Sequence, residues 1–401
     1  MTFALGVALF ALGIGFSIAL HEAGHMYSAK AFGMKVRRYF IGFGPTVLSF
    51  RRGETEYGLK AIPGGGFCDI VGMTALEELP DPRDRRRAFF RYPTWKRVVV
   101  LSAGSLAHFA LGLVLVYVMA VSTGLPNLTP APTPAVVGTV DQCVNRNDDG
   151  SCPPGAPAPA RDADLKSGDR VLAVAGTPVK NWTELTAATQ NRSGPTEFRL
   201  ERGGRQLTRT VDVAQVPASA LGGQGGNPVG AIGVSSQAVD RTLQYGPLDA
   251  VGATFTFTGT MFAQTWEGLK QLPEKIPLLL NRIAGEERND TPISVIGASV
   301  LGGDAVEIGA WVFFLYLLAA FNLFVGVFNL LPILPLDGGH IAVNVYERVR
   351  NVVRRARGRS DGPPVDYTRL LPLTYVVMLV FIGVFALTIT ADIVNPIRLG
   401  R

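Results

Sequence analysis

Residues 21–25 read His21-Glu22-Ala23-Gly24-His25, the pattern H-E-x-x-H. On a helix this spacing sets two imidazoles one turn apart on one face, where both can reach a single zinc ion. The carboxylate beside them can take a proton from a water. The motif directly follows Phe3–Leu20, a stretch without any charge. Ionisable groups at an apolar span are costly and are usually functional, which favours a metal site over a buried polar cluster. With 4 His in 401 residues, an accidental match is expected on the order of once in several hundred such chains.

Two imidazoles leave zinc short of ligands, because catalytic sites usually have three from the protein plus a water. The other histidines are His108 and His340, and acidic residues within the apolar stretches are scarce. One later apolar stretch ends in Asn329-Leu330-Leu331-Pro332-Ile333-Leu334-Pro335-Leu336-Asp337-Gly338-Gly339-His340. Its prolines cannot continue a regular helix, and its glycines permit unusual backbone. The run presents Asp337 at the same end of the span system as His21, as a shared metal requires. The alternative reading of Asp337 is a plain turn residue.

The elements that must position these groups are mostly apolar. Hydrophobic residues make up 47% of the chain and charged ones 17%, and the mean hydropathy is positive, as in a membrane protein carrying a soluble part. Four stretches, Phe3–Leu20, Val98–Val121, Trp311–Leu331 and Leu373–Ile393, are each near the ~20 residues needed to cross ~30 Å of hydrocarbon. The first lacks a basic leader and a small-residue cleavage site, so it reads as a retained span rather than a signal peptide. Lys and Arg crowd the segments after the first and third spans, from Lys30 to Arg97 and from Arg348 to Arg359. Both segments are therefore expected in the cytosol, with both termini and the long section from about 123 to 309 outside. These loops account for the net charge of +6. Basic juxtamembrane loops facing anionic lipid explain them, and no nucleic-acid partner is expected.

The expected organisation is span one with the zinc motif (1–31), a cytosolic, membrane-associated β-rich loop (32–97) and span two (98–122). Next come an outside α+β domain with linkers (123–245) and an outside amphipathic segment (246–309). Span three with the third ligand (310–340), a basic loop (341–369), span four (370–395) and a tail (396–401) complete the chain. Within the β-rich loop, short β-like runs alternate with the turn signals Gly42-Phe43-Gly44-Pro45 and Pro63-Gly64-Gly65-Gly66. They form either a hairpin sheet tucked against the membrane side of the protein or an ordinary cytosolic β-domain. Cys143 and Cys152 lie in the outside section, as a disulfide in an oxidising compartment or as unpaired thiols. Cys68, on the cytosolic side, reads as a free thiol. Leu221–Gly226 is a Gly-rich joint. Residues 247–284 are helical and amphipathic, lying on the outer membrane face or packing on the spans.

H-E-x-x-H in the first span with N-x-x-P-x-x-P-L-D-G in a later one resembles the site-2 protease family of intramembrane zinc metalloproteases, in particular its bacterial branch with four spans and an outside PDZ insert. The resemblance covers nearly the whole chain. It implies a multi-pass α-helical membrane protein of four spans, with a membrane-associated β-hairpin segment and an inserted α+β PDZ domain. His21, His25 and Asp337 match the family's zinc ligands and Glu22 its general base. Asn329 and Pro332 match positions near the substrate strand. Gly42, Phe43 and Gly44 resemble the β-loop that clamps an unwound substrate. Ala163-Asp164-Leu165-Lys166-Ser167-Gly168-Asp169-Arg170-Val171 resembles the bacterial PDZ pattern A-G-L-x-x-G-D-x-I.

Two departures stand out. Gly104-Ser105-Leu106-Ala107-His108 occupies the place of G-P-x-x-N, leaving His108 as a spare ligand, a hydrogen-bond partner or a polar residue packed between spans. Asp164 replaces a glycine. The resemblance implies a zinc endopeptidase of the bacterial plasma membrane. Its targets would be single-pass proteins already trimmed by a site-1 protease, such as anti-sigma factors or remnant signal peptides. A membrane metal transporter and an inactive PDZ scaffold are the rival readings. The first would want polar residues along several spans, and the second would tolerate loss of Glu22 or Asp337.

Overall fold

The computed structural model describes residues 1–73, 79, 81–127, 132–144, 151–218, 228–237, 242–286 and 290–399. The Gly-rich joint Leu221–Gly226 lies outside them. The chain divides into two units, Met1–Leu125 with Gln244–Arg401, and Pro126–Leu243.

In the first unit, α1 (Thr2–Ala31) is about 45 Å long at 1.5 Å per residue. It ends where Gly33, at φ +83°, closes the helix: Met34 N–H donates to Ala29 and Gly33 N–H to Lys30, the bond pair of a glycine-terminated cap. Two long strands follow, β1 (Val36–Arg52) and β2 (Thr55–Ile70), paired with each other. Each folds back on itself. Val36–Ile41 faces both Glu56–Leu59 and Gly66–Ile70, while Thr46–Arg52 pairs with Thr55–Lys60. The short β-like runs of the sequence thus become two bent strands. The bend in β1 falls at Gly42 and Gly44, whose φ of +89° and +79° suit glycine. The sheet docks on α1: the Tyr39 hydroxyl donates to the Ala19 carbonyl at 2.7 Å. Burial, with Glu22 nearby, pushes that phenol up to about 12, so it remains a donor.

Next comes α2 (Thr94–Ser122), which packs tightly on α1. A Cβ on Gly24 would strike the Ala103 carbonyl. Small residues are what let helix backbones approach this closely.

The second unit contains β3 (Val137–Val140), β4 (Arg170–Val174), β5 (Thr177–Pro178), α3 (Trp182–Gln190), β6 (Gly194–Arg202), β7 (Arg205–Pro217), β8 (Pro228–Ala231) and β9 (Val234–Ser236). Five strands form one sheet in the order β5-β4-β6-β7-β8, and β9 pairs with β3. The core gathers Val171, Val174, Leu185, Phe198, Leu200, Val211 and Val213. Asn181 caps α3, accepting from Glu184 N–H at 2.9 Å. Cys143 and Cys152 are joined in a disulfide, whereas Cys68 is free and burial pushes its thiol up. Asp164 has φ +56°, a left-handed conformation that favours glycine and that Asp tolerates better than most residues. Its carboxylate lies 3.4 Å from both Lys166 and Arg202.

The chain then returns to the first unit with α4 (Pro247–Lys275), α5 (Val295–Glu307), α6 (Trp311–Asn329), α7 (Asp337–Ala356) and α8 (Leu371–Val394). Among the described residues, four helices are long and apolar enough to cross a membrane: α1, α2, α6 and Tyr367–Val394. The amphipathic α4 packs on α2 and α6, with Phe262 on Phe109 at 5.1 Å and Phe257 on Tyr316 at 6.3 Å. The short apolar α5, which the sequence did not lead us to expect, lies against α1, where a Cβ on Gly6 would come within 2.9 Å of Gly303 Cα.

Candidate metal centre

The helix α1 carries His21 and His25 on one face, one turn apart. Their Nε2 atoms are 3.2 Å from each other, and Asp337 Oδ2 lies 3.4 Å from His21 Nε2 and 3.3 Å from His25 Nε2. Zinc bonds of about 2.0–2.2 Å in a tetrahedron place neighbouring ligand atoms about 3.3–3.6 Å apart. The three atoms form nearly that triangle. Asp337 Oδ2 is buried with no hydrogen-bond partner among the described residues. Three side chains converging on a shared point, with a buried acceptor left over, fit a cation.

Neighbouring elements leave room for these groups and orient them. His25 Nδ1 bonds the Val100 carbonyl on α2 at 2.8 Å, which turns Nε2 toward the other two ligands. One turn further along α2, a Cβ on Gly104 would lie 2.5 Å from His25 Nε2 and 2.7 Å from His21 Nδ1. Glycine is required at that wall. The opposite wall comes from β2, where a Cβ on Gly66 would lie 2.9 Å from Glu22 Cγ. Glu22 thus lies between the paired imidazoles and the edge of the β-segment.

Asp337 opens α7 instead of closing the third span. The span ends at Asn329, the chain loops through residues 330–336, and a new helix starts at Asp337. The expected single element 310–340 is therefore two helices and a loop, as Pro332 and Pro335 demand. Gly338 and Gly339 do not supply the unusual backbone expected of them. Both are helical, and they serve by close approach: a Cβ on Gly338 would collide with the Leu330 carbonyl, and one on Gly339 would lie 2.5 Å from Leu334 N. The loop folds back onto them and holds Asp337 in place.

The remaining candidates lie around this centre. Asn329 is half-buried at the end of α6, and Pro332 is exposed in the loop. Neither hydrogen-bonds to the three ligand candidates among the described residues. Phe43, 45% exposed, pairs with Ile62, and its ring would be met at 2.5 Å by a Cβ on Gly65, next to the Gly66 wall. Gly42 and Gly44 shape the bend beside it. His340 stacks on Tyr367 at 5.8 Å and is not among the converging ligands. His108 lies beside the site, its ring 5.0 Å from that of His21 and its Nδ1 2.9 Å from Asn322 Oδ1. Sequence reasoning did not select Gly66, Gly104, Val100 or Asn322. A glycine one turn before a histidine in an apolar helix was the signal available for Gly104.

Comparison with known proteins agrees with this chemistry. The sequence matches Peptidase family M50 over residues 9–362. It is 50% identical to Zinc metalloprotease Rip1 of Mycobacterium bovis and 47% identical to that of Mycolicibacterium smegmatis, over the full length of both chains in each case. It is 28% identical to Membrane metalloprotease ARASP, chloroplastic, of Arabidopsis thaliana, covering 94% of this chain and 77% of the relative. The chain belongs to Peptidase family M50, the site-2 protease family, and is a zinc metalloprotease.

Proposed function

We propose that His21, His25 and Asp337 hold the zinc and that Glu22 is the general base of an endopeptidase cutting the transmembrane segments of single-pass membrane proteins. The observation that carries this reading is the 3.2–3.4 Å triangle of ligand atoms on helices of the apolar bundle, with the Glu22 carboxylate beside it. Zinc bound there supplies Lewis-acid chemistry toward a peptide carbonyl and a water. Glu22 takes the proton from the attacking water and returns it to the leaving amine. A helical substrate hides its carbonyls, so it must unwind. The bent strands offer an edge for the extended segment, with Gly42, Phe43 and Gly44 shaping that edge and Asn329 and Pro332 flanking its path.

The basic segments 32–97 and 341–369 support an orientation in the bacterial plasma membrane with both termini outside. Targets of the anti-sigma-factor or remnant-signal-peptide kind, trimmed beforehand by a site-1 protease, suit a site enclosed by spans. The second unit is read as a PDZ module that restricts entry of bulky substrates. Its pattern carries Asp164 at the left-handed position where the motif has glycine, tied by salt bridges to basic neighbours. Asp164 is not among the residues lining the cavity between α3 and β8; Asp141 is. The acidic group at that groove is therefore Asp141.

The test is cleavage of a reporter transmembrane helix by the purified zinc-loaded protein, with Glu22→Gln as control. Gln keeps the size but cannot accept the proton, so turnover should fall by at least about 100-fold while zinc content stays. Retained turnover would remove Glu22 from the role of base.

A further inference from the structure

His108 takes no part in the proposed chemistry, yet it is 2% exposed and touches the site. Its surroundings determine which of its nitrogens carries hydrogen. On α6, the Asn322 side-chain amide N–H donates to the Leu318 carbonyl at 2.8 Å. That turns the amide oxygen toward His108 Nδ1 at 2.9 Å. An amide oxygen only accepts, so His108 Nδ1 carries the hydrogen, and Nε2 of the neutral ring keeps a lone pair.

His21 has the complementary need. Its Nε2 faces His25 and Asp337, so in the neutral ligand ring the hydrogen sits on Nδ1. That buried Nδ1 has no hydrogen-bond partner among the described residues, whereas the same atom of His25 has the Val100 carbonyl. Metal-binding imidazoles almost always donate their second N–H to an acceptor. On the wall facing His21 Nδ1, Gly104 offers no side chain. His108 is one turn further along α2, with its ring centroid 5.0 Å from that of His21 and its plane tilted by 44°. Two imidazoles joined by an N–H···N bond of about 2.9 Å have centroids about 5 Å apart.

We propose that His108 is a positioning residue for His21, through a relay Asn322–His108–His21. Each ring donates from Nδ1, and His108 Nε2 accepts the His21 Nδ1–H once a small ring rotation brings the two into line. The relay fixes the tautomer and plane of His21 and raises its basicity as a ligand. It rests on the ligand reading above.

The experiment uses the full-length protein, loaded with zinc and challenged with rising chelator, with the thermal midpoint of the metal-free protein measured alongside. His21→Ala comes first: if it keeps zinc as well as the parent, the ligand assignment itself fails. With that control passed, His108→Leu removes the acceptor, and zinc should be lost at roughly 10- to 100-fold lower chelator, beyond whatever fall in the metal-free midpoint the unpartnered Asn322 oxygen causes. His108→Gln should restore most of the retention, because its amide offers one acceptor and one donor. Asn322→Leu, which releases the tautomer, should give an intermediate loss. Parent-like retention in His108→Leu overturns the relay, and so does a Gln variant as poor as Leu, since bulk and not hydrogen bonding would then matter. If His108→Leu does not fold, the Gln and Asn322→Leu variants decide, and parent-like retention in Asn322→Leu overturns it.

Discussion

At the scale of single residues, the centre depends on atoms that have no other partner. Asp337 Oδ2 is buried and makes no hydrogen bond among the described residues, and a cation accounts for its place. Asp337→Ala should lower both zinc content and cleavage, removing one of three ligands. Zinc content measured on the purified variant checks this, and full occupancy would move the third ligand elsewhere. The H-E-x-x-H half of the site was legible in the sequence because its geometry is local: four residues along a helix are one turn. Asp337 was legible because prolines and glycines marked a break in an apolar run. Gly66 and Asn322 were not, since each meets the site only through folding of a distant segment. A glycine's reason for being glycine is the atom it faces, and that atom is not next to it in the chain.

At the scale of elements, composition alone revealed the long apolar helices, because about 20 apolar residues in a row match the thickness of a bilayer and exceed what a soluble core helix usually carries. It did not reveal α5, which is too short for that rule and whose glycines lower its apolar signal. Packing made it visible: α5 lies on α1 through Gly6, Gly302 and Gly303. Another device invisible in the sequence ties α8 to the segment after α4. Arg282 and Asp392, 1% and 0% exposed, pair at 2.7 Å. The rest of the pair is satisfied by Asn395, Thr291 and the Ser294 N–H. Breaking such a pair strands a buried charge and costs about 3–5 kcal/mol, whereas replacing both partners by apolar residues can be near neutral. Arg282→Met and Asp392→Leu should therefore each lower the unfolding midpoint of the detergent-solubilised protein, and the double variant should recover most of the loss. Additive losses in the double variant would show that the pair is not a unit.

At the scale of the whole molecule, the second unit is an insertion between two parts of the first. As a gate it would exclude substrates by size and would add nothing to the chemistry. Removing the unit, residues 126–243, should then leave cleavage of a substrate with a short outside stub intact and should permit cleavage of one with a large outside domain. Equal slowing of both would replace the gate by recruitment or instability. The strands β3, β4, β6 and β7 and the helix α3 were legible in the sequence, whereas the short β5, β8 and β9 were not. The Cys143–Cys152 disulfide was also expected, from two cysteines close together in a section placed outside the cytosol.

His21 and Asp337 come from opposite ends of the chain, with the insertion between them, and this separates them in time as well as in sequence. At about 5–20 residues per second, a ribosome that has made the histidine pair needs roughly 15 to 60 s more to reach the aspartate. During that interval the growing chain has the two proposed histidine ligands and lacks the proposed third. With Asp337 as the proposed third ligand, a chain halted before residue 337 should bind zinc poorly and cleave nothing, which truncation just before that residue would check.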